Sequence, residues 1–402
     1  MQTSMKHKCL VYILMAIFVF ICLCVPYDII FTLSENILIS QVEIEDIYKN
    51  NNFIFTTRFV KISADESDNI DDYVVQYKLF DLFTVKSLRV NVIKDEVMPG
   101  GDCIGLSLKS KGVVVIGSNF VITKNGTQNP IATSSLQVGD IILEMSGREI
   151  TTLADMTNVL AGSNGQPVEV IYRRDGQKYT SYITPALDFQ TKQYKLGLWI
   201  RDNALGVGTL TFINDDLRFG SLGHAINDAD TKQCFEVDDG EVYACNVLGV
   251  KKGVKGTPGE LIGAFTLGKN VQGDIDKNCS NGVYGFLNST SGILEEKKYY
   301  SVGGRLTVKP GKAHILCCID GEEIKSYDIQ IVKVYQQSES FDKSMVIKVT
   351  DPKLLEKTGG IVQGMSGSPI IQNGNIVGAV THVFINDPTQ GFGLYLDWML
   401  VE

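Results

Sequence analysis

The sequence is short of histidine, proline and clustered basic residues. Its 402 residues include only four histidines and ten prolines. Four histidines leave very few candidates for imidazole chemistry. Lys and Arg total 37 against 46 Asp and Glu, for a formal net charge of −9, and they form no basic block. Phosphate recognition needs clustered cations, so the composition argues against a nucleic-acid function. The nine cysteines include no C-x-x-C, so a zinc or thioredoxin-type site lacks its spacing. What is abundant is glycine, 39 residues with no Gly-X-Y period. That pattern points to a mainly β chain rich in turns.

The N-terminus reads as a membrane element. Lys6 and Lys8 precede 17 uninterrupted apolar residues, Cys9–Val25, and Pro26 ends the run. A basic start followed by such a run is a signal segment, and no small-x-small cleavage site follows it. Residues 1–26 are expected to be an uncleaved, single-pass anchor. The positive-inside rule puts residues 1–8 in the cytoplasm and the bulk outside it. Residues 27–97 carry short β-prone runs and read as a β-rich spacer.

Residues 98–185 behave as one unit. Strand-like runs at Ile104–Leu108 and Val113–Ile116 come first, followed by Leu136-Gln137-Val138-Gly139-Asp140-Ile141-Ile142, then Gly147 and Ile150. Apolar residues at helical spacing follow at 152–160, then a strand at Val168–Arg173 and an Asp175-Gly176 turn. This order resembles a PDZ domain, a β-sandwich with short helices. In that family a Gly-Leu-Gly-Phe-like loop offers backbone N–H groups to a peptide's C-terminal carboxylate. The matching tetrapeptide is Gly105-Leu106-Ser107-Leu108, which departs from the pattern at its third and fourth positions. By itself it also reads as an ordinary strand.

Residues 186–402 hold many short β-prone runs, which suits a barrel or sandwich. Their most informative stretch is Gly364-Met365-Ser366-Gly367-Ser368-Pro369. It resembles the Gly-x-Ser-Gly-Gly-Pro nucleophile loop of chymotrypsin-like serine peptidases. A nucleophilic serine must sit on a tight turn, and flanking glycines permit the unusual backbone angles. The N–H groups of Gly364 and Ser366 would then converge on an oxyanion. Ser368 is the competing nucleophile, placed where the family has glycine. A hairpin with an Asn373-Gly374 turn follows the motif.

A serine nucleophile needs a base. His224 lies between glycines and small residues, well upstream of Ser366, in the order barrel peptidases use. His314 alternates into an apolar strand and reads as structural. His382, beside Thr381 at the end of the hairpin, is placed to line a specificity pocket. The orienting acid stays open on spacing alone, among Asp228, Asp230, Asp238, Asp239, Asp274, Asp276, Asp320, Asp328, Asp342 and Asp351.

Taken together, the anchor, the PDZ-like unit, Gly223-His224 and the Gly-Met-Ser-Gly-Ser-Pro loop resemble the stage IV sporulation protein B family of signalling serine peptidases from endospore-forming Firmicutes. The stretches Lys251–Glu260 and Val349–Pro352 add to the match. The resemblance implies a triad of His224, Asp351 and Ser366, although Asp351 stands only 15 residues before the serine. It also implies a chymotrypsin-like barrel domain over 186–402, with no metal or cofactor. The implied location is the forespore membrane, with the bulk in the intermembrane space. Its implied protein substrates are the peptidase itself and a membrane regulator like the stage IV F sporulation protein A, whose cleavage triggers pro-sigma-K activation. The PDZ domain would gate recognition. The competing expectation is a membrane-anchored PDZ adaptor with an inactive peptidase-like domain.

Overall fold

A computed structural model describes residues 36–40, 55–63, 70–93, 96–295, 297–337, 340–341 and 343–402. The expected anchor at 1–26 lies outside the described residues. Among the described residues no helix is long and apolar enough to cross a membrane. Within the expected spacer, strands Asn36–Ser40, Phe55–Ser63, Ile70–Leu79 and Phe83–Ile93 form one four-stranded sheet.

The remainder is built on two six-stranded barrels. The first begins with β1 (Cys103–Ser118), whose far half leaves the barrel for the PDZ-like unit. That unit contains β2 (Ile141–Met145), α1 (Leu153–Gly162), β3 (Val168–Arg174) and β4 (Gln177–Ile183). Thr152 caps α1 in a reciprocal box with Asp155, and Met156, Val159 and Leu160 turn inward at helical spacing. They pack on Val113, Val115, Ile142 and Val170 to form a separate core. Asp175 and Gly176, both at positive φ, make the expected turn between β3 and β4.

The chain returns to the barrel on β5 (Leu198–Ile213), again a strand of 16 residues. Its near half pairs with the far half of β1 inside the PDZ-like unit, and its far half pairs with the near half of β1 inside the barrel. Next come β6 (Arg218–Ser221), β7 (Val237–Ala244), a hairpin of β8 (Asn246–Lys251) and β9 (Glu260–Ala264), then β10 (Val271–Cys279) and β11 (Gly282–Leu287). The ring runs β1-β7-β10-β11-β6-β5 and closes through the β1–β5 pairing. Ile104, Leu106, Leu108, Leu210, Phe219 and Val242 fill its centre.

The second barrel is β12 (Gly311–Cys318), β13 (Ile324–Val334), β14 (Met345–Val349), then after helix α2 (Pro352–Thr358) β15 (Pro369–Gln372), β16 (Asn375–Phe384) and β17 (Asp387–Tyr395). It closes in the order β12-β13-β14-β17-β16-β15. A short helix α3 (Leu396–Leu400) follows β17. Asn373 and Gly374 form the expected hairpin turn at positive φ.

One expectation is corrected here. Gly105, Leu106, Ser107 and Leu108 do not form an open carboxylate-binding loop. They lie in the middle of β1, paired on one side with Ala204–Val207 of β5 and on the other with Gly240–Tyr243 of β7. Both backbone edges are occupied and the side chains are buried. A peptide carboxylate finds no N–H group there. The sequence signal for a strand was real, but its partners arrive from 96 or more residues downstream, beyond local reading.

Candidate active site

Ser366 and His224 come from different barrels. Helix α2 carries the chain toward the serine. Its N-cap is Asp351, whose carboxylate accepts the N–H groups of Lys353 and Leu354 at 2.8 and 3.0 Å. The chain leaves α2 through Gly359 at φ 79° and enters the nucleophile loop, where Gly364 and Gly367 also have positive φ. A Cβ on Gly367 would collide with the Thr209 carbonyl and the Leu222 N–H, so only glycine lets the loop press onto the first barrel there. Ser366 is half-buried, and its Oγ donates to the Thr381 carbonyl at 2.6 Å. Ser368 is fully buried and its Oγ donates to the Met365 carbonyl, so it is committed to shaping the loop.

His224 follows a turn made by Leu222 and Gly223, both at positive φ, directly after β6. Gly223 is needed because a Cβ would come within 2.9 Å of Thr381 Cγ2. The ring's Nδ1 lies 2.9 Å from the Ala225 carbonyl. A carbonyl only accepts, so that bond puts the proton on Nδ1 and leaves Nε2 as the basic nitrogen. Asn278 holds the histidine loop through Ile226 N–H, Ile226 C=O and Phe235 C=O at 2.8–2.9 Å. Asp228 accepts the N–H groups of Asp230 and Thr231 and pairs with Arg201 of β5. Burial pushes the Asp228 carboxyl up, but those N–H groups and the guanidinium outweigh it and hold it below the usual range.

Thr381 and His382 reach the same place. The β16–β17 register shifts between Val380 and Val383, a bulge that turns Thr381 and His382 out of the regular ladder. The His224 and His382 rings lie 5.0 Å apart between centroids, tilted by 42°. Ser366, His224, Thr381 and His382 therefore form one cluster between the barrels.

Asp351 is not in that cluster. Its carboxylate bonds go to the backbone of its own helix and, at 3.5 Å, to Asp328 N–H; none reaches His224. Sequence spacing could not reveal this, because an N-cap aspartate and a triad aspartate look alike in one dimension. Of the other acids, Asp228 and Asp230 pair with Arg201, Asp239 with Lys109, Asp276 with Arg218 and Asp320 with Lys357. Asp342 lies outside the described residues. His314 sits on β12 opposite Asp328, as a strand histidine.

The loop amides alternate between committed and open. Met365, Gly367 and Ser368 N–H groups donate to Val362, Val380 and Met365 carbonyls at 2.7–3.1 Å. The N–H groups of Gly364 and Ser366 donate to no acceptor among the described residues. Two open donors flanking the serine are what an oxyanion requires. Beside Gly364 an open groove of about 770 Å³ runs between Leu205–Val207 of β5 and Leu261–Phe265 of the β8–β9 hairpin.

A second groove, missed in the sequence, lies in the PDZ-like unit. About 450 Å³ is enclosed between α1 (Leu153, Met156, Leu160) and the start of β5 at Leu198–Ile200. The loop entering it is Leu196-Gly197-Leu198, with Gly197 at φ 70°. The Leu196 and Gly197 N–H groups have no acceptor among the described residues. The apolar-Gly-apolar pattern was visible, but it follows the helix in sequence rather than preceding it.

Comparison with known proteins agrees with this layout. Residues 192–400 match the profile of the family described as SpoIVB peptidase S55, and residues 103–184 match the PDZ domain. A protein of Bartonella henselae described as a zinc metalloprotease is 26% identical over 133 residues, which are 31% of this chain and 37% of that protein. The chain thus spans about a third of that curated relative's length. Among solved structures, the PDZ domain of an SdrC-like protein from Listeria monocytogenes is 19% identical, covering 23% of this chain and 90% of its own, with a TM-score of 0.19. The inactive form of the Rv3671c protease is 14% identical, covering 48% of this chain and 83% of its own, with a TM-score of 0.28.

Proposed function

The chain belongs to the SpoIVB peptidase S55 family, a family of serine peptidases, and we propose that it is a PDZ-regulated serine endopeptidase of sporulation. The observation that supports this reading is Ser366 Oγ on the Thr381 carbonyl, next to His382 whose ring lies 5.0 Å from that of His224, beside two open loop amides. Ser366 Oγ turns from the Thr381 carbonyl toward the imidazole and attacks the scissile carbonyl. His224 Nε2 takes the serine proton. The Gly364 and Ser366 N–H groups receive the oxyanion. Protonated His224 then gives its proton to the leaving amine, and an ester to Ser366 remains. Water, deprotonated by His224, releases the acid product and restores the serine. Asp351 serves the same site indirectly, by holding the helix that delivers the nucleophile loop.

Extended peptide is the substrate this site suits, lying along the groove beside Gly364. The Leu196–Leu198 loop and α1 form the PDZ-like pocket, whose open amides suit a peptide carboxylate. In its biological setting the enzyme is anchored in the forespore membrane, faces the intermembrane space and processes itself. It then cleaves a membrane regulator like the stage IV F sporulation protein A, which leads to pro-sigma-K activation. Purified full chain should yield discrete fragments on incubation, with termini that mass spectrometry locates. Ser366→Ala should yield none while keeping the wild-type melting temperature. Identical fragments from Ser366→Ala would overturn the assignment.

A further inference from the structure

Four consecutive peptide groups surround the nucleophile, and each is anchored at its carbonyl. The Gln363 carbonyl accepts Leu261 N–H at 2.8 Å, and the Met365 carbonyl accepts Ser368 N–H and Oγ–H at 3.0 and 2.7 Å. The other two, Gly364 and Ser366, are both anchored by one residue. Thr209 on β5 donates Oγ1–H to the Gly364 carbonyl at 2.8 Å and N–H to the Ser366 carbonyl at 2.9 Å. Its own carbonyl accepts Leu222 N–H at 3.3 Å, two residues before His224. Thr209 itself is 1% exposed, so its own side chain is shielded from water.

We propose that Thr209 is a positioning residue for the peptidase reaction, fixing the oxyanion loop and the histidine loop against each other. The inference rests on Ser366 as the nucleophile and goes beyond that reading. The peptide planes it holds border both open N–H groups. Losing the hydroxyl would leave the part-buried Gly364 carbonyl without its donor from β5, and the loop would rotate to find another. A displacement near 1 Å at such a site costs on the order of 10²-fold in rate. Thr211 provides the internal control. It is equally buried and donates Oγ1–H to the Gly367 carbonyl at 2.8 Å, but that carbonyl lies beyond the serine and borders neither open N–H.

The test uses the full chain and a fluorophosphonate, whose phosphoryl oxygen occupies the oxyanion position. The saturating rate of Ser366 modification and the concentration for half-saturation are measured for wild type, Thr209→Val, Thr209→Ser and Thr211→Val. Thr209→Val should lower the saturating rate on the order of 10²-fold. Its half-saturation concentration should stay within about threefold, because the lost contact acts on the transition state. Thr209→Ser should restore the rate to within about threefold, because the donor returns. Thr211→Val should lower the melting temperature comparably to Thr209→Val but leave the rate within about fivefold. A folded Thr209→Val at wild-type rate, or a loss that serine does not restore, overturns the inference. If the valine variant does not fold, Thr209→Cys replaces it, and a wild-type rate in that weak donor likewise overturns the inference. Absence of any Ser366 adduct in wild type would instead reject the nucleophile.

Discussion

The second barrel closes on its own six strands, whereas the first barrel shares β1 and β5 with the PDZ-like unit. The proposed nucleophile, Ser366, therefore sits on a self-contained frame. The proposed base, His224, sits on a frame whose strands continue into a second domain. Strand β5 makes the continuity explicit. It starts at the Leu196–Leu198 loop, carries Arg201 to the histidine loop, and reaches the nucleophile loop at Thr209. A peptide bound in the PDZ-like groove would touch the same strand that holds both catalytic loops. The proposed gating would act along this strand, whose pairing with β1 shifts register at Trp199/Ile200 and at Arg201/Asn203.

The two frames differ in their response to substitution. The largest contrast is between histidines. His224→Ala should lower peptide-bond cleavage on the order of 10⁴-fold. His314→Ala, on the second barrel, should change it less than about fivefold, as a strand histidine opposite Asp328. Equal losses in a cleavage assay would dissolve the distinction between the base and a strand histidine.

Next comes the link between β5 and the histidine loop. Arg201→Met leaves Asp228 without its guanidinium, and Asp228 is 3% exposed. Breaking a pair with one partner so buried destabilises by roughly 3 kcal/mol. Chemical denaturation should show that loss, and cleavage should fall with it because the histidine loop loosens. A melting curve unchanged from wild type would mean the link is slack.

A third prediction sets one carboxylate of each frame against the other. Burial pushes the Asp397 carboxyl, beside Arg305 and Trp398, up to about 6 from 3.8. A raised folded value means that its stabilising contribution is complete below pH 3.8 and is lost as pH rises through about 6. Asp228 is held below 3.8, so its contribution is present above that pH and disappears as pH falls through its lowered value. The stability difference between wild type and Asp397→Asn should therefore change between pH 4 and 6. The difference between wild type and Asp228→Asn should change only at lower pH. The reverse ordering in pH-dependent denaturation would contradict the burial assigned to each.

The smallest effect concerns Asp351. Asparagine caps helices nearly as well as aspartate, so Asp351→Asn should keep cleavage within a few-fold of wild type, and Asp351→Ala should cost about 1 kcal/mol of stability. A loss of thousands-fold in Asp351→Asn would return this residue to the triad that the family resemblance implied.

These residues also mark how far the sequence could be read. Gly364-Met365-Ser366-Gly367, Asn373-Gly374 and Asp175-Gly176 were legible because tight turns need glycine or asparagine at fixed offsets, a local demand. The α1 periodicity was legible for the same reason. The barrel closure was not, because it depends on Gly105–Leu108 meeting residues near 205 and 241. The strand itself was legible, but not that both of its edges are occupied. Thr209 was invisible for a related reason: a threonine in a β run gives no sign that its hydroxyl reaches a carbonyl 155 residues away.

Catalysis is proposed to need a serine from one barrel and a histidine from the other. Peptide mapping of the full chain after fluorophosphonate treatment, in wild type and His224→Ala, tests this pairing. One adduct is expected, on Ser366, formed in wild type and slowed by orders of magnitude without His224. An adduct on Ser368, or equal labelling of Ser366 in both proteins, would contradict it.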